Sequence, residues 1–314
     1  MLIFLGVSIA MLSCKKDQTG LEPVVLHKPD ASALSDFFHD NLDEATQHFH
    51  VDVTQQVYIE GEQGLKATFF PNTLMDAFGN DITGIIDVTL VEIFNKKDMI
   101  LKNKPTLAFH QGEYKPLISG GEFYLEATQN GQPLFLKPYQ ELLVKIPRTD
   151  YSIYGMNRFI SDNENDTLIW SLTTDSTSWF GVGGNQNSST WQNNLNTFGW
   201  INCDTFMNDP RPQTIVEAEL PVGYNNTTCK VFISFDGLNS LTSFKSYEYS
   251  ILSTAPYYSL PVGLEVHFVA ITIINDVIYC EVISDTIEEN HRVQITNLEM
   301  VTESEFEALL DALP

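Results

Sequence analysis

The stretch EFYLEATQNGQPLFLK, residues 122–137, alternates apolar and polar side chains on both sides of Asn130-Gly131. Alternation with period two, broken by an Asn-Gly turn, is the strongest short-range sign of a β-hairpin. Similar runs recur along the chain. HFHVDV alternates so that Phe49, Val51 and Val53 share one face while His48, His50 and Asp52 share the other. QVYIE, LKATFF ending at Pro71-Asn72, IIDVTLVEIF with Ile86, Val88 and Leu90 on one face, and ELLVKIP follow, divided by Gly-, Asn- and Pro-rich turns. Short strands at this spacing, with hardly a helical period between them, predict a β-sandwich over residues 36–150.

After Arg148 the pattern resumes in TLIWSL, SWFGV, TFGWINCDTF, QTIVEAELPVG, CKVFISF, SYEYSIL, LPVGLEVHFVAITII, VIYCEVIS and VQITNLEMV. Asn275-Asp276 predicts a second tight hairpin turn, and Leu-Pro-Val-Gly, at Leu220–Gly223 and Leu260–Gly263, reads as a reused strand-end turn. The tail VTESEFEALLDALP predicts a helix with a Thr302/Glu305 capping box and a stripe of Phe306, Leu309 and Leu310. The expected fold is therefore all-β: two β-sandwich-like domains in tandem, at 36–150 and 151–314, with a short C-terminal helix. A chain of 314 residues is long enough for two cores.

The N-terminal stretch MLIFLGVSIAMLSCKKD sets an address. Leu2 to Leu12 is too short to span a bilayer as a helix, which needs roughly 20 residues, but has the length of a signal-peptide core. Met11-Leu12-Ser13-Cys14 has the pattern of a lipobox, so residues 1–13 read as a lipoprotein signal peptide and Cys14 as the lipidated residue. Residues 14–35, rich in charge, Pro, Gly and Ser, read as a flexible tether. Acyl chains on Cys14 make membrane lipid the first expected partner.

Residues 46–147, notably Gly64, Pro71, Asn72, Gly79, Gly84, Glu92 and Gly120-Gly121, resemble a module of Bacteroidota lipoproteins and envelope proteins. That module is similar in outline to the β-sandwich shared by zonula occludens proteins, netrin receptors and ankyrins. The resemblance implies a binding or scaffold role without catalysis, and an outer-membrane, lipid-anchored location. Some lipoproteins of that phylum carry a Lys followed by several acids as a surface-export tag. Here Lys16-Asp17 runs into Gln18, so the choice between periplasmic and surface face stays open.

Seventeen Lys and Arg against 41 Asp and Glu leave a formal net charge of −24. Such a field repels phosphate backbones, which argues against nucleic acid as a partner and leaves metal cations, basic peptides and neutral glycans open, with a glycan or an envelope protein as the expected further partner. Asp162, Glu164 and Asp166 in SDNENDTL form an oxygen-rich loop that would suit calcium, the one cofactor suggested, although Thr167 and Thr173 stand where an EF-hand needs Gly and Glu. His48 and His50 on one strand face, with His39 nearby, are too few ligands for a metal site. The four tryptophans lie between residues 170 and 200. Trp170 and Trp200 sit in apolar runs and read as core, whereas Trp179 and Trp191 flank a Gly/Asn/Ser loop and are candidates for stacking on a glycan. Cys203, Cys229 and Cys280 allow one disulfide or three buried thiols. None of the linear motifs of serine hydrolases, zinc proteases, P-loops or dinucleotide folds is present. The expected function is that of a non-catalytic binding or scaffold module. A surface glycan-binding lipoprotein is the first alternative, and an envelope hydrolase with dispersed carboxylates the second.

Overall fold

The Asn130-Gly131 turn forms as its sequence requires. Asn130 (φ 51°) and Gly131 (φ 73°) both lie in the left-handed region, and Gln129 pairs with Gln132 across them. Asn275 (φ 51°) and Asp276 (φ 61°) do the same between Glu265–Ile274 and Val277–Thr286. The computed structural model describes residues 28–148, 155–161, 168–174, 179–183 and 188–314. Strands account for 49% of the structure and helices for 11%, so the fold is all-β.

Among the described residues, two sheets face each other in the first unit. One runs Gln47–Asp52, Ile85–Ile93, Glu113–Gln129, Gly199–Phe206, Asn157–Ser161, Ser171–Leu172; the other runs Gly181–Val182, Thr190–Leu195, Leu142–Pro147, Lys66–Phe69, Val57–Glu60. Phe69, Leu90, Phe123, Val144 and Ile201 fill the space between them. Glu92 lies inside this sandwich at its end. Its carboxylate accepts from the Leu65 amide (2.8 Å), the Gln63 amide (2.8 Å) and Gln47 Nε2 (2.9 Å), which pins the turn at 61–65. A Cβ on Gly61 would lie 2.3 Å from Glu92 Oε2, so only glycine admits that carboxylate.

These ladders correct the expected boundary between residues 150 and 151. Thr190–Leu195 pairs with Leu142–Pro147, and Gly199–Phe206 pairs with Glu113–Gln129, so strands up to Phe206 complete the first unit. Alternation says which face of a strand is buried but not which strand lies beside it. The second unit starts after the segment 207–212. Its five-stranded sheet (Leu241–Ser243, Lys230–Phe235, Glu265–Ile274, Val277–Thr286, Glu299–Val301) packs on a four-stranded one that includes Val216–Glu219 and His291–Gln294. Val231, Ile233, Val266 and Phe268 fill that core.

Phe232, Val269 and Ile271 of the same five-stranded sheet point the other way, into a third core. That core also takes Val91, Ile93 and Leu117 from the first unit, together with side chains of three helices: α1 (Ala31–Glu44), α2 (Lys96–Leu101) and α3 (Glu303–Asp311). Lys230–Phe235 is buried on both faces, which is why KVFISF reads as a near-continuous apolar run. Hydrogen bonds close the seam: Thr106 N–H donates to Leu241 O (2.8 Å), Ser119 N–H to Asn239 O (2.8 Å) and Ser240 Oγ to Leu117 O (2.6 Å). The two β units thus share one interior.

The helix α1 corrects the tether reading at its end. Asp30 caps it, accepting from Ser32 N–H (2.8 Å) and Ala33 N–H (3.3 Å), and Leu34 and Phe38 enter the shared core, so residues 31–35 are helical. In α3 the Thr302/Glu305 capping box is present and Phe306 and Leu310 are buried, but Leu309 is exposed, narrowing the expected stripe. Both Leu-Pro-Val-Gly copies form the same turn, with Tyr224 N–H on Pro221 O (3.1 Å) and Leu264 N–H on Pro261 O (3.2 Å). Cys203, Cys229 and Cys280 are buried free thiols, without the disulfide that one reading allowed. No helix among the described residues is long and apolar enough to cross a membrane.

Candidate functional site

Three segments far apart in sequence meet where the two units join. The first is the hairpin of Leu107–His110 with the start of Glu113–Gln129. Gln111 (φ 54°) and Gly112 (φ 87°) turn it, which sets Phe109 opposite Tyr114, their ring centroids 5.1 Å apart. The second is the inter-unit segment MNDPRPQ. Its Asp209 carboxylate accepts from the Arg211 amide (2.9 Å), Nε (2.9 Å) and Nη2 (2.5 Å), while Arg211 Nη1 donates to Gly263 O (2.5 Å). Gln213 Nε2 donates back to Asp209 O (3.2 Å) and Arg211 O (3.0 Å), so the crossing between units is braced. The Arg211 guanidinium holds the Asp209 carboxyl below its ordinary range. The third is TAPYY. Tyr257 and Tyr258 N–H both turn onto Thr254 O; Tyr258 then points inward, its hydroxyl on Ser243 O (2.9 Å), and Tyr257 points out, 40% exposed.

Together these segments wall a groove of about 820 Å³. Tyr114 and Tyr257 meet edge to face in it, centroids 5.5 Å apart at 81°. Pro116, Pro210, Pro256 and Pro261 supply much of the remaining wall. The charged lining residues are paired: Lys115 with Glu113 at 3.8 Å and Asp209 with Arg211. Lys245 lies over the Tyr114 ring, 5.7 Å from its centroid, and burial pushes its ammonium down to about 8. The volume is within the range of ~300–1,000 Å³ usual for small-ligand sites, which favour junctions between structural units.

The sites expected from sequence fall elsewhere. Trp179 is 62% exposed, as expected, and its ring covers Gly181. Trp191 is not exposed. At 2% accessibility it lies in the first sandwich core opposite Ile146, with the Arg148 guanidinium 4.6 Å above its ring. The alternation of Thr190–Leu195 sends Trp191 and Leu195 inward together. The pair Trp179–Trp191 therefore does not make one aromatic platform. Trp170 and Trp200 are core residues, as read. Cys14 and the candidate calcium ligands Asp162, Glu164 and Asp166 lie outside the described residues. His50 pairs with Asp87, and no group of three or more metal-ligating side chains occurs among the described residues.

A pair of carboxyls that the sequence did not single out is buried on the face of the first sheet that turns toward α2. The Asn202 amide donates to Asp204 Oδ2 (2.7 Å) and reaches Glu122 Oε2 (3.5 Å), and all three side chains are fully buried. Burial and mutual repulsion raise Glu122 well above its ordinary value, and burial raises Asp204 likewise. Their remaining oxygens, Glu122 Oε1 and Asp204 Oδ1, make no hydrogen bond among the described residues. The pair does not line the groove. A second concavity, about 790 Å³, runs beside the exposed carboxylates Asp36, Asp40 and Glu44 of α1. A third, about 380 Å³, lies at the seam, where Lys97 is bound to Asp311 at 3.0 Å. The chain matches no protein-family model and no curated protein in sequence.

Proposed function

We propose that this chain is a lipid-anchored protein of the cell envelope, held at the outer membrane through acylated Cys14, whose folded part is a non-catalytic binding or scaffold module. The groove at the junction carries this reading. Its walls are rings and prolines on a braced backbone, and its charged groups are spent on one another. Such a surface is suited to holding a ligand rather than to moving protons or attacking a bond. The Bacteroidota resemblance of residues 46–147 and the lipobox-like Met11–Cys14 agree with it.

Placing a photo-reactive phenylalanine at Tyr257 in cells tests the binding role. An adduct is expected at position 257, with none at Tyr249, which is 87% exposed and outside the groove. Equal labelling at the two positions, or none at either, would contradict it. For the anchor, Cys14→Ala is expected to move the protein from the detergent phase to the aqueous phase.

A further inference from the structure

We infer that the Tyr114–Tyr257 groove binds a neutral polysaccharide segment. The inference rests on the binding role proposed above and names the ligand class. Three observations converge on it. The rings come first: Tyr257 presents an exposed ring, Tyr114 is held against it edge to face, and the neighbouring Phe109 is 46% exposed. Rings set in a fixed array offer apolar faces to the C–H faces of pyranose rings at low entropic cost, because each has only two side-chain torsions.

Charge comes second. In a chain of net charge −24, the groove's own charged residues form Lys115–Glu113 and Asp209–Arg211 pairs. No surplus acid recruits a cation there, and the field of the whole chain disfavours an acidic glycan. The third observation separates a sugar from a proline-rich peptide, the other ligand that aromatic grooves take. Asn208, Ser259, Tyr114 and Tyr257 line the groove with side chains that both donate and accept hydrogen bonds. The hydroxyls of a sugar answer both roles, whereas a polyproline peptide, without N–H groups, offers only acceptors.

Native electrophoresis of the full chain through gels containing laminarin, yeast mannan, dextran or arabinogalactan tests this. Retardation by at least one of the four is expected, unchanged in ~1 M salt, where surface electrostatics is screened within ~3 Å. Tyr257→Ala and Tyr114→Ala should each weaken it ~10-fold or more, Tyr257→Phe should retain most of it, and Tyr249→Ala should leave it intact. Each variant is melted in parallel, so that loss of fold is distinguished from loss of binding. Absence of retardation by all four, retardation abolished by salt, or retardation abolished by Trp179→Ala but kept in both tyrosine variants would overturn the inference. If the 257 adduct in cells proves to be a protein and no polysaccharide binds, the binding role stands and the glycan assignment falls.

Discussion

The groove and the buried carboxyl pair both lie near the junction of the two β units, and they treat polar groups in opposite ways. In the groove, Asp209 is partly open to water and accepts four hydrogen bonds from Arg211, and Lys115 faces Glu113. Behind the first sheet, Glu122 and Asp204 are sealed, share one amide donor and leave one oxygen each without a hydrogen bond. Exposed paired charges contribute little to stability and leave the surrounding rings open to a ligand. Buried, partly unsatisfied ones cost stability, and burial holds their pKa values up. The comparison teaches that burial of a polar cluster is not by itself a mark of a site; here the accessible, internally neutral region is the better candidate.

The largest effect is expected in the core that joins the units. Trp170 is fully buried there, its Nε1 on Pro105 O at 3.2 Å. Trp170→Ala should cost ~3–5 kcal/mol, and because both units contribute to that core, urea should still unfold the variant in a single transition at a lower midpoint. Two separated transitions, with only one of them shifted, would show that the units are independent.

Next comes the carboxyl pair. Glu122 and Asp204 titrate well above their ordinary values in the folded state, so the folded protein retains protons that the unfolded chain releases above pH ~4. Stability should therefore fall as pH rises from there toward the raised folded values. Glu122→Gln has no proton to lose over that range, so it should flatten that slope and raise stability at neutral pH. A destabilised Glu122→Gln protein would mean that the carboxyl has a partner that makes it worth its burial.

How much of this was legible beforehand divides by distance along the chain. Asn130-Gly131, Asn275-Asp276, Thr302/Glu305 and both Leu-Pro-Val-Gly turns formed as read, because each is fixed by residues within one turn of one another. The helix α1 was hidden by Pro29 and a polar opening, although Leu34, Phe37 and Phe38 have helical spacing. Trp191 reads as exposed because its neighbours are polar; the two-residue alternation through Trp191 and Leu195 is the signal that sends it inward. The groove combines residues 113–116, 207–215 and 255–261, and the pairing of Gly199–Phe206 with Glu113–Gln129 brings the second segment beside the first. The Pro and Tyr content of EYKP, NDPRP and TAPYY was the one linear hint.

Lys245 gives a smaller test on the groove side. Its ammonium is pushed down to about 8 by burial, against 10.5 ordinarily. Between those values the folded state gives up its proton first, so stability should rise with pH over that window, and Lys245→Met should remove the rise. A pH profile of the melting temperature reads it directly. The smallest stability effect belongs to the groove rings: Tyr257→Ala should change stability by less than ~1 kcal/mol while weakening ligand retention ~10-fold or more, because the ring is part-exposed. A large loss of stability there would recast Tyr257 as a structural residue.

Hydrogen exchange of the full chain, with and without the retained polysaccharide, tests the central claim most directly. The expected result is added protection at the backbone amides of residues 113–115, 207–213 and 255–258, with none at residues 199–204 behind the sheet. Protection confined to the strands around Trp179, or no change anywhere at saturating ligand, would contradict it.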